Sequence, residues 1–376
     1  MRILESKPEK YIACLALMLS LVFLSCSIAP ATSKAFSAGK VPPTLQLQQN
    51  SSQSNTPATK KPRPAPARWR GLIGEYGPDN DILLILEKDG RLCALFKRVE
   101  VYPLDELARD IFRFPEPGAR SAQVLNFTRD EHGRAMQVEV GKVVLKRRQI
   151  EPESGASQLR VKPLRPVPEL MKEARAAQPP KENGEFREAD LVELTKLDPT
   201  IRLEIRYATT NNFLGTVFYD EARAFMQRPA AEALVRASLK LKALGYGLLI
   251  HDAYRPWYVT KVFWDATPDD KKVFVADPAK GSRHNRGCAV DLTLYDLKTK
   301  KPVEMVSTYD ETTDRAYPDY PGGTSLQRWH RKLLREAMEA EGFTVYEAEW
   351  WHFDFKDWRM YRIGNVTFEQ LQNRKR

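Results

Sequence analysis

The chain has 376 residues, 42% of them hydrophobic and 29% charged, enough for two folded domains with connectors and too apolar for a chain disordered throughout. Its formal charge of +10 would suit a nucleic-acid binder only on a folded surface, yet residues 1–68 carry nine Lys and Arg against Glu5 and Glu9. That surplus of seven leaves +3 for the other 308 residues and excludes a basic binding stripe on a folded domain, while four cysteines are too few for a disulfide-dense scaffold.

At the amino terminus, Lys7 and Lys10 precede an apolar run from Tyr11 to Leu24. Its fourteen residues fall short of the about 20 that a membrane span needs and match the core of a secretory signal. Ala29-Pro30-Ala31 has the form of a cleavage site, and Leu24-Ser25-Cys26 resembles the lipobox of bacterial lipoproteins, whose cysteine is acylated. An uncleaved anchor is the third option. In each case the chain is expected to be exported, periplasmic or tethered to the membrane through Cys26, with residues 1–35 as its signal. Residues 36–68, dominated by Pro, Ser, Gln, Asn and Thr and closed by the basic stretch Lys60 to Pro66, read as a disordered linker. The basic cluster could touch the cell wall.

From Trp69 to Ile150 short strands alternate with turns. Ile82 to Leu86 runs through Asp89-Gly90, a hairpin signal, into Leu92 to Phe96. Val124, Leu125 and Phe127, and then Met136, Val138 and Val140, flank a second turn containing His132, which reads as a surface histidine. This predicts a small all-β domain whose texture resembles the β-domains appended to bacterial serine hydrolases; no chemistry is assigned to it. Residues 151–185, rich in Pro, Ala, Lys and Arg, read as a second linker.

Residues 186–376 read as an α+β domain, a central antiparallel sheet flanked by helices. Leu203 to Tyr207 alternates like a half-buried strand. Pro229 to Leu244 places Leu234, Ala237, Leu241 and Leu244 on one helical face before Gly245. Leu248 to Ile250 and Gly287 to Tyr295 read as strands, with a helix from Trp257. Leu326, Trp329, Leu333 and Ala337 mark a helix that leaves His330 exposed, and Phe343 to Phe355 reads as extended chain.

Three segments of this domain carry chemistry. In Ser282 to Thr293, Asp291 sits in an apolar strand, where a carboxylate is costly unless an arginine or a metal compensates it. His284 precedes that strand by a loop containing Gly287, which could return the imidazole to Asp291. In Glu347 to Phe355, aromatic residues surround His352. Two histidines and an aspartate make three ligands of zinc type and leave a fourth tetrahedral position for water, the catalytic arrangement. Glu349, three residues before His352, could then move the water's proton. In Ile250 to Pro256, Arg255 follows a buried strand and could stabilise an oxyanion, with Asp252 orienting it or lining the pocket. His251 is at most a neighbour of the site. Cys288 faces away from Asp291 if the strand alternates, and reads as a buried filler.

SxHxxGxAxD, ExWH and DxYRP together resemble the zinc D-alanyl-D-alanine dipeptidases of the vancomycin-resistance type, relatives of D,D-carboxypeptidases and hedgehog-like domains. The resemblance covers residues 186–376. It implies one zinc ion held by His284, Asp291 and His352, Glu349 as general base and acid, Arg255 as transition-state stabiliser, and Ser282 in contact with substrate. Tyr207 to Gly215 resembles the family's YAT-x-x-NF-x-G stretch. Met305 to Asp310 resembles a stretch ending in Phe-Asp, which implies that Asp310 pairs with the free ammonium group of the dipeptide, although Tyr309 replaces the common phenylalanine. The expected activity is hydrolysis of D-Ala-D-Ala or a close D-configured dipeptide, in wall salvage or turnover. A D,D-carboxypeptidase acting on peptidoglycan stems and a non-catalytic wall-binding module are the alternatives.

Overall fold

The computed structural model describes residues 60–148, apart from 98, 119 and 122, and residues 160–373. The signal, the Cys26 lipobox and most of the first linker lie outside the described residues. The linker's last residues are docked: Ala65 is buried and the Lys61 ammonium lies 5.1 Å over the Tyr246 ring.

After α1 (Ala67–Arg70), the small domain is all β: β1 (Gly74–Tyr76), β2 (Leu83–Lys88), β3 (Arg91–Phe96), β4 (Glu100–Pro103), β5 (Asp105–Ala108), β6 (Ile111–Arg113), β7 (Val124–Arg129), β8 (Ala135–Val140) and β9 (Val143–Lys146). They form two antiparallel meanders, β1-β2-β3-β4 and β5-β6-β7-β8-β9. Asp89 and Gly90 both take positive φ, 53° and 79°, as a tight two-residue hairpin requires. Strand β8 alternates because one of its faces is solvated, whereas β2 is buried at five consecutive residues from Leu83 to Glu87. Leu83 and Ile85 enter the domain's own core with Phe112, Leu125 and Val138. Leu84 and Leu86, with Cys93 and Leu95, pack instead on Val306 and Tyr320 of the larger domain.

Hydrogen bonds complete this seam. The Tyr320 hydroxyl donates to Glu75 Oε1 at 2.6 Å, and Ser325 N donates to Glu87 Oε2 at 2.7 Å. Arg328 Nη2 donates to the Glu87 carbonyl at 2.7 Å. Buried carboxylates need such donors, and the seam adds them to those of the small domain itself, Arg148 on Glu75 and Gly90 N on Glu87.

The larger domain begins earlier than its sequence suggested. The stretch 151–185 is not all linker, because α2 (Val167–Ala176) buries Val167, Leu170 and Ala174 in the main core and packs on α5 (Trp257–Ala266). Strand β10 (Leu191–Glu193) pairs with β12 (Phe225–Gln227), and α3 (Leu194–Leu197) follows β10 directly. The central sheet runs β11-β13-β14-β16-β15. Its members are β11 (Arg202–Leu203), β13 (Tyr246–Asp252), β14 (Ala289–Asp296), β15 (Phe343–Tyr346) and β16 (Glu349–Phe355). All its pairings are antiparallel except β11 with β13. Past Leu203 the predicted strand gives way to a short 3₁₀ turn at Arg206–Ala208, which aims Tyr207 inward.

Helices α4 (Arg228–Ala243) and α6 (Ser325–Glu339) contact the sheet, and α7 (Phe368–Asn373) is the last element among the described residues. Leu234, Ala237 and Leu241 of α4 and Leu334 and Met338 of α6 share one core with Leu292 and Leu294 of β14. The α4 face stops short of Leu244, which is 49% exposed. In α6 the fully buried face is His330, Leu334 and Met338, spaced four apart, while Leu326, Trp329 and Leu333 are half-buried. His330 is thus a core residue, bonded through Nε2 to the Tyr246 hydroxyl at 3.2 Å.

Because Tyr320 reaches a buried Glu75 across the seam, Tyr320→Phe should destabilise the protein by about 1–2 kcal/mol, read as a lower urea midpoint at unchanged m-value. An unchanged midpoint would mean that the bond adds nothing.

Candidate active site

The leucines of β14 face the helices, so alternation turns Asp291 to the opposite side of the sheet. Register does the rest: Asp291 stands directly opposite His352 on β16 and opposite Asp252 on β13. The pairing on β13 skips His251, and this irregularity brings Asp252 into the row. His284 arrives from the 3₁₀ turn before β14, which Gly287 closes at φ 68°. A Cβ on Gly287 would lie 2.5 Å from Leu191 Cδ2, so glycine is needed there.

His284, Asp291 and His352 are all buried, and one ligand atom from each lies within 4.8 Å of the others. Nε2 of His284 and Nδ1 of His352 are 3.1 Å apart, and each faces Asp291 Oδ1, at 3.4 Å and 3.0 Å. The outer nitrogens decide what the inner ones are. His284 Nδ1 lies 2.6 Å from the Ala253 carbonyl, and His352 Nε2 lies 3.0 Å from Asp354 Oδ1. Each outer nitrogen carries the proton toward its acceptor, which leaves the inner lone pairs facing one another and a carboxylate oxygen. Asp291 Oδ1 is buried without a hydrogen bond, while Oδ2 accepts from the Tyr309 hydroxyl at 3.0 Å. Three buried acceptors converging on one point fit a cation, and among the described residues this is the one such cluster.

Residues 187–369 match the family model described as D-ala-D-ala dipeptidase. The chain is 34% identical to the D-alanyl-D-alanine dipeptidase of Escherichia coli over 165 residues, 44% of this chain and 84% of that protein. It is 35% identical to the enzyme of that name from Enterococcus faecalis, across 42% of this chain and 87% of that one. The dipeptidase of Enterococcus faecium matches at 34% identity, across 42% and 87%. The chain belongs to the D-ala-D-ala dipeptidase family. It is a metallopeptidase, and its His-Asp-His cluster is the site in the described residues that could hold the metal.

Around this cluster the peptidase has a cavity of about 580 Å³, lined on its polar side by Arg255, Ser282, Asp310 and Glu349 and on its apolar side by Phe213, Phe263 and Trp351. Glu349 Oε2 is 3.8 Å from His352 Nδ1, and burial lifts its carboxyl to about 7. Burial opposes protonation of His352, yet Asp291 and Asp354 raise its pKa to about 10, so without an ion in the cluster a proton on His352 Nδ1 takes the place of the cation. Asp310 accepts from the Tyr207 hydroxyl at 3.2 Å. Burial, with the charges of Asp291 and Glu349, raises its pKa to about 8. Ser282 Oγ accepts from His284 N at 3.2 Å, holding the turn while its side chain lines the cavity.

Asp252 does not line the cavity. It is 1% exposed behind Arg255, accepts from Arg255 Nε at 2.9 Å and Nη2 at 2.8 Å, and is braced by the Tyr219 hydroxyl at 2.8 Å. Its place is that of an orienting group and not of a substrate contact. In the Tyr207 to Gly215 loop the aromatic Tyr207 and Phe213 face the cavity, while Asn212 ties the loop together through three backbone carbonyls. Cys288 is fully buried in the core, its thiol pushed up to about 12 by burial. Sequence reasoning missed Asp354 and the hydroxyls of Tyr309 and Tyr219. Asp354, two residues beyond His352 on a strand, shares its face and was legible in principle. The tyrosines act across loops and carry no local signal.

His251 stacks on Tyr309 at 4.6 Å and stays out of the cavity. Burial and the Arg206 charge lower its pKa to about 4, and its Nδ1 has no hydrogen-bond partner. Below pH 6.5 the unfolded chain binds a proton that the folded chain refuses until about pH 4, so stability falls as pH drops through that window. His251→Phe keeps the stack and should remove about 2 kcal/mol of this pH dependence, measured by urea unfolding at pH 4.5 and 7. An identical acid slope in the variant would refute this.

Proposed function

We propose that this chain is an exported zinc dipeptidase that hydrolyses D-alanyl-D-alanine, or a close D-configured dipeptide, for salvage of cell-wall fragments. Zinc would be held by His284 Nε2, Asp291 and His352 Nδ1, a donor set of two imidazoles and one carboxylate that suits it. The observation that carries the substrate is Asp310, a half-buried carboxylate lining the same cavity with no cationic side chain in ion-pair contact among the described residues. An ammonium group on the substrate answers it. A stem peptide acylated at that nitrogen would leave it unpaired.

The bound ion would supply Lewis acidity to the scissile carbonyl and the attacking water. Glu349 takes the water's proton and returns it to the leaving amine, and the burial that raises its carboxyl pKa favours both halves of that task. Arg255, fixed by Asp252 through Nε and Nη2, presents a guanidinium that needs no reorganisation as negative charge develops on the carbonyl oxygen. Tyr207 holds Asp310 and Ser282 holds the His284 turn. Export, to the periplasm or to a lipid anchor at Cys26, is supported by the apolar run Tyr11 to Leu24, and an extracytoplasmic site suits salvage of free dipeptide.

Release of alanine from D-Ala-D-Ala should vanish on chelation and return with zinc. Glu349→Gln should lower kcat by about 10²- to 10⁴-fold with metal content unchanged. Full activity in chelator would sink the zinc assignment. N-acetyl-D-Ala-D-Ala should be cut at least about tenfold less efficiently than the free dipeptide, and Asp310→Asn should shrink that gap. The opposite preference would make the protein a carboxypeptidase of stem peptides, and binding to sacculi without turnover of any substrate would make it a wall-binding module.

A further inference from the structure

A zwitterionic dipeptide brings a carboxylate as well as an ammonium group, and Asp310 answers only the latter. A carboxylate drawn into a cavity needs donors of opposite charge. Most cationic side chains lining the cavity are already committed or face solvent. Arg255 is held by Asp252, and Arg286 gives its terminal nitrogens to Glu182 and the Tyr361 carbonyl. Lys271 and Lys280 stand in solvent, their side chains 50% and 84% exposed, beside Asp270 and Asp277.

Arg283 is placed differently. Its Nε lies 3.2 Å from Asp354 Oδ2, its one ion pair among the described residues. The rings of Tyr346 and Trp358 flank the guanidinium at 5.9 Å and 5.2 Å. The side chain is 39% exposed and lines the cavity. Arginine has five N–H donors, so a contact at Nε leaves the two terminal nitrogens, the fork that matches a carboxylate. Arg283 also lies on the proper side. It touches Asp354, the partner of His352, whereas Asp310 follows Tyr309, the partner of Asp291. Arg283 is thus linked to His352 through Asp354, while Asp310 is linked to Asp291 through the hydroxyls of Tyr207 and Tyr309. A dipeptide carries its two charges on opposite sides of its single peptide bond.

We propose that Arg283 binds the free carboxylate of the substrate and so selects peptides that end one residue past the scissile bond. This rests on the dipeptidase assignment and adds a specificity-determining residue to it. Asp354 is then shared: one oxygen orients His352 and the other steadies the arginine that reads the chain end.

The test compares D-Ala-D-Ala with D-alanyl-D-alaninamide on zinc-loaded enzyme. The wild type should favour the free acid about 10- to 100-fold in kcat/KM. Arg283→Gln should bring the acid down to the level of the amide, chiefly through KM, while turnover of the amide and zinc content stay at the wild-type level. Arg283→Lys should retain part of the preference. An equal fall for both substrates would make Arg283 a support for Asp354 and His352 and overturn the proposal, as would a wild type indifferent to amidation. Failure of the dipeptidase assignment looks different: the wild type itself would leave the free dipeptide uncut, and the proposal would fall with it.

Discussion

Three lone-pair donors buried within about 3 Å of each other repel unless positive charge sits among them, and that constraint organises the domain. Nothing in a hydrophobic core tolerates His284, Asp291 and His352 in this arrangement by itself, since each has been taken out of water and turned toward like-signed neighbours. The surrounding chain keeps them there. The Ala253 carbonyl and the Asp354 carboxylate fix which ring nitrogens carry protons, and the Tyr309 hydroxyl pins one oxygen of Asp291 while the other stays bare. The cost of holding these groups apart from their ordinary partners would be recovered as affinity for a bound ion.

The same row of side chains links binding to catalysis. Asp252, Asp291 and His352 are neighbours across three strands, so the carboxylate that holds Arg255 and two members of the His-Asp-His cluster share one hydrogen-bonded frame. A one-residue slip of β14 would turn Asp291 into the helix-facing core and carry a leucine or valine into its place. The packing of Leu292 and Leu294 against α4 and α6 therefore fixes active-site register from the far side of the sheet.

Much of this was legible in the sequence, and what was missed has physical causes. Asp291 stood out because a carboxylate inside an apolar strand must be answered by something, and His352 because aromatic residues hem it in. Asp252 was visible, but whether it contacts substrate or braces Arg255 depends on depth, which strand periodicity does not report. The α6 face was placed one residue off, since Trp329 and Leu333 outweigh a histidine on any hydrophobic scale; the pairing with Tyr246 that makes His330 buriable comes from a distant strand. The helix Val167–Ala176 was hidden in a polar, proline-rich stretch because its apolar positions are few and are buried by α5 rather than by their neighbours in sequence. The run Ile82 to Leu86 was legible as a strand, but not the cover on its second face, because Val306 and Tyr320 lie over two hundred residues away.

That second cover belongs to the segment bearing Tyr309 and Asp310. The residues that meet the small β-domain and those that line the cavity are thus a few steps apart on one loop, with Arg315 bonded to the Val306 carbonyl and paired with Glu311 between them. Such a loop answers to two selective pressures at once. Drift at Leu84 or Leu95 restricts which residues Val306 and Tyr320 can become, and each accepted change there shifts the backbone from which Asp310 projects. A catalytic half borrowed from a relative would come with a loop shaped for a different neighbour. The small domain is therefore part of the scaffold that sets the backbone of the Asp310 loop, and not a module merely strung before it.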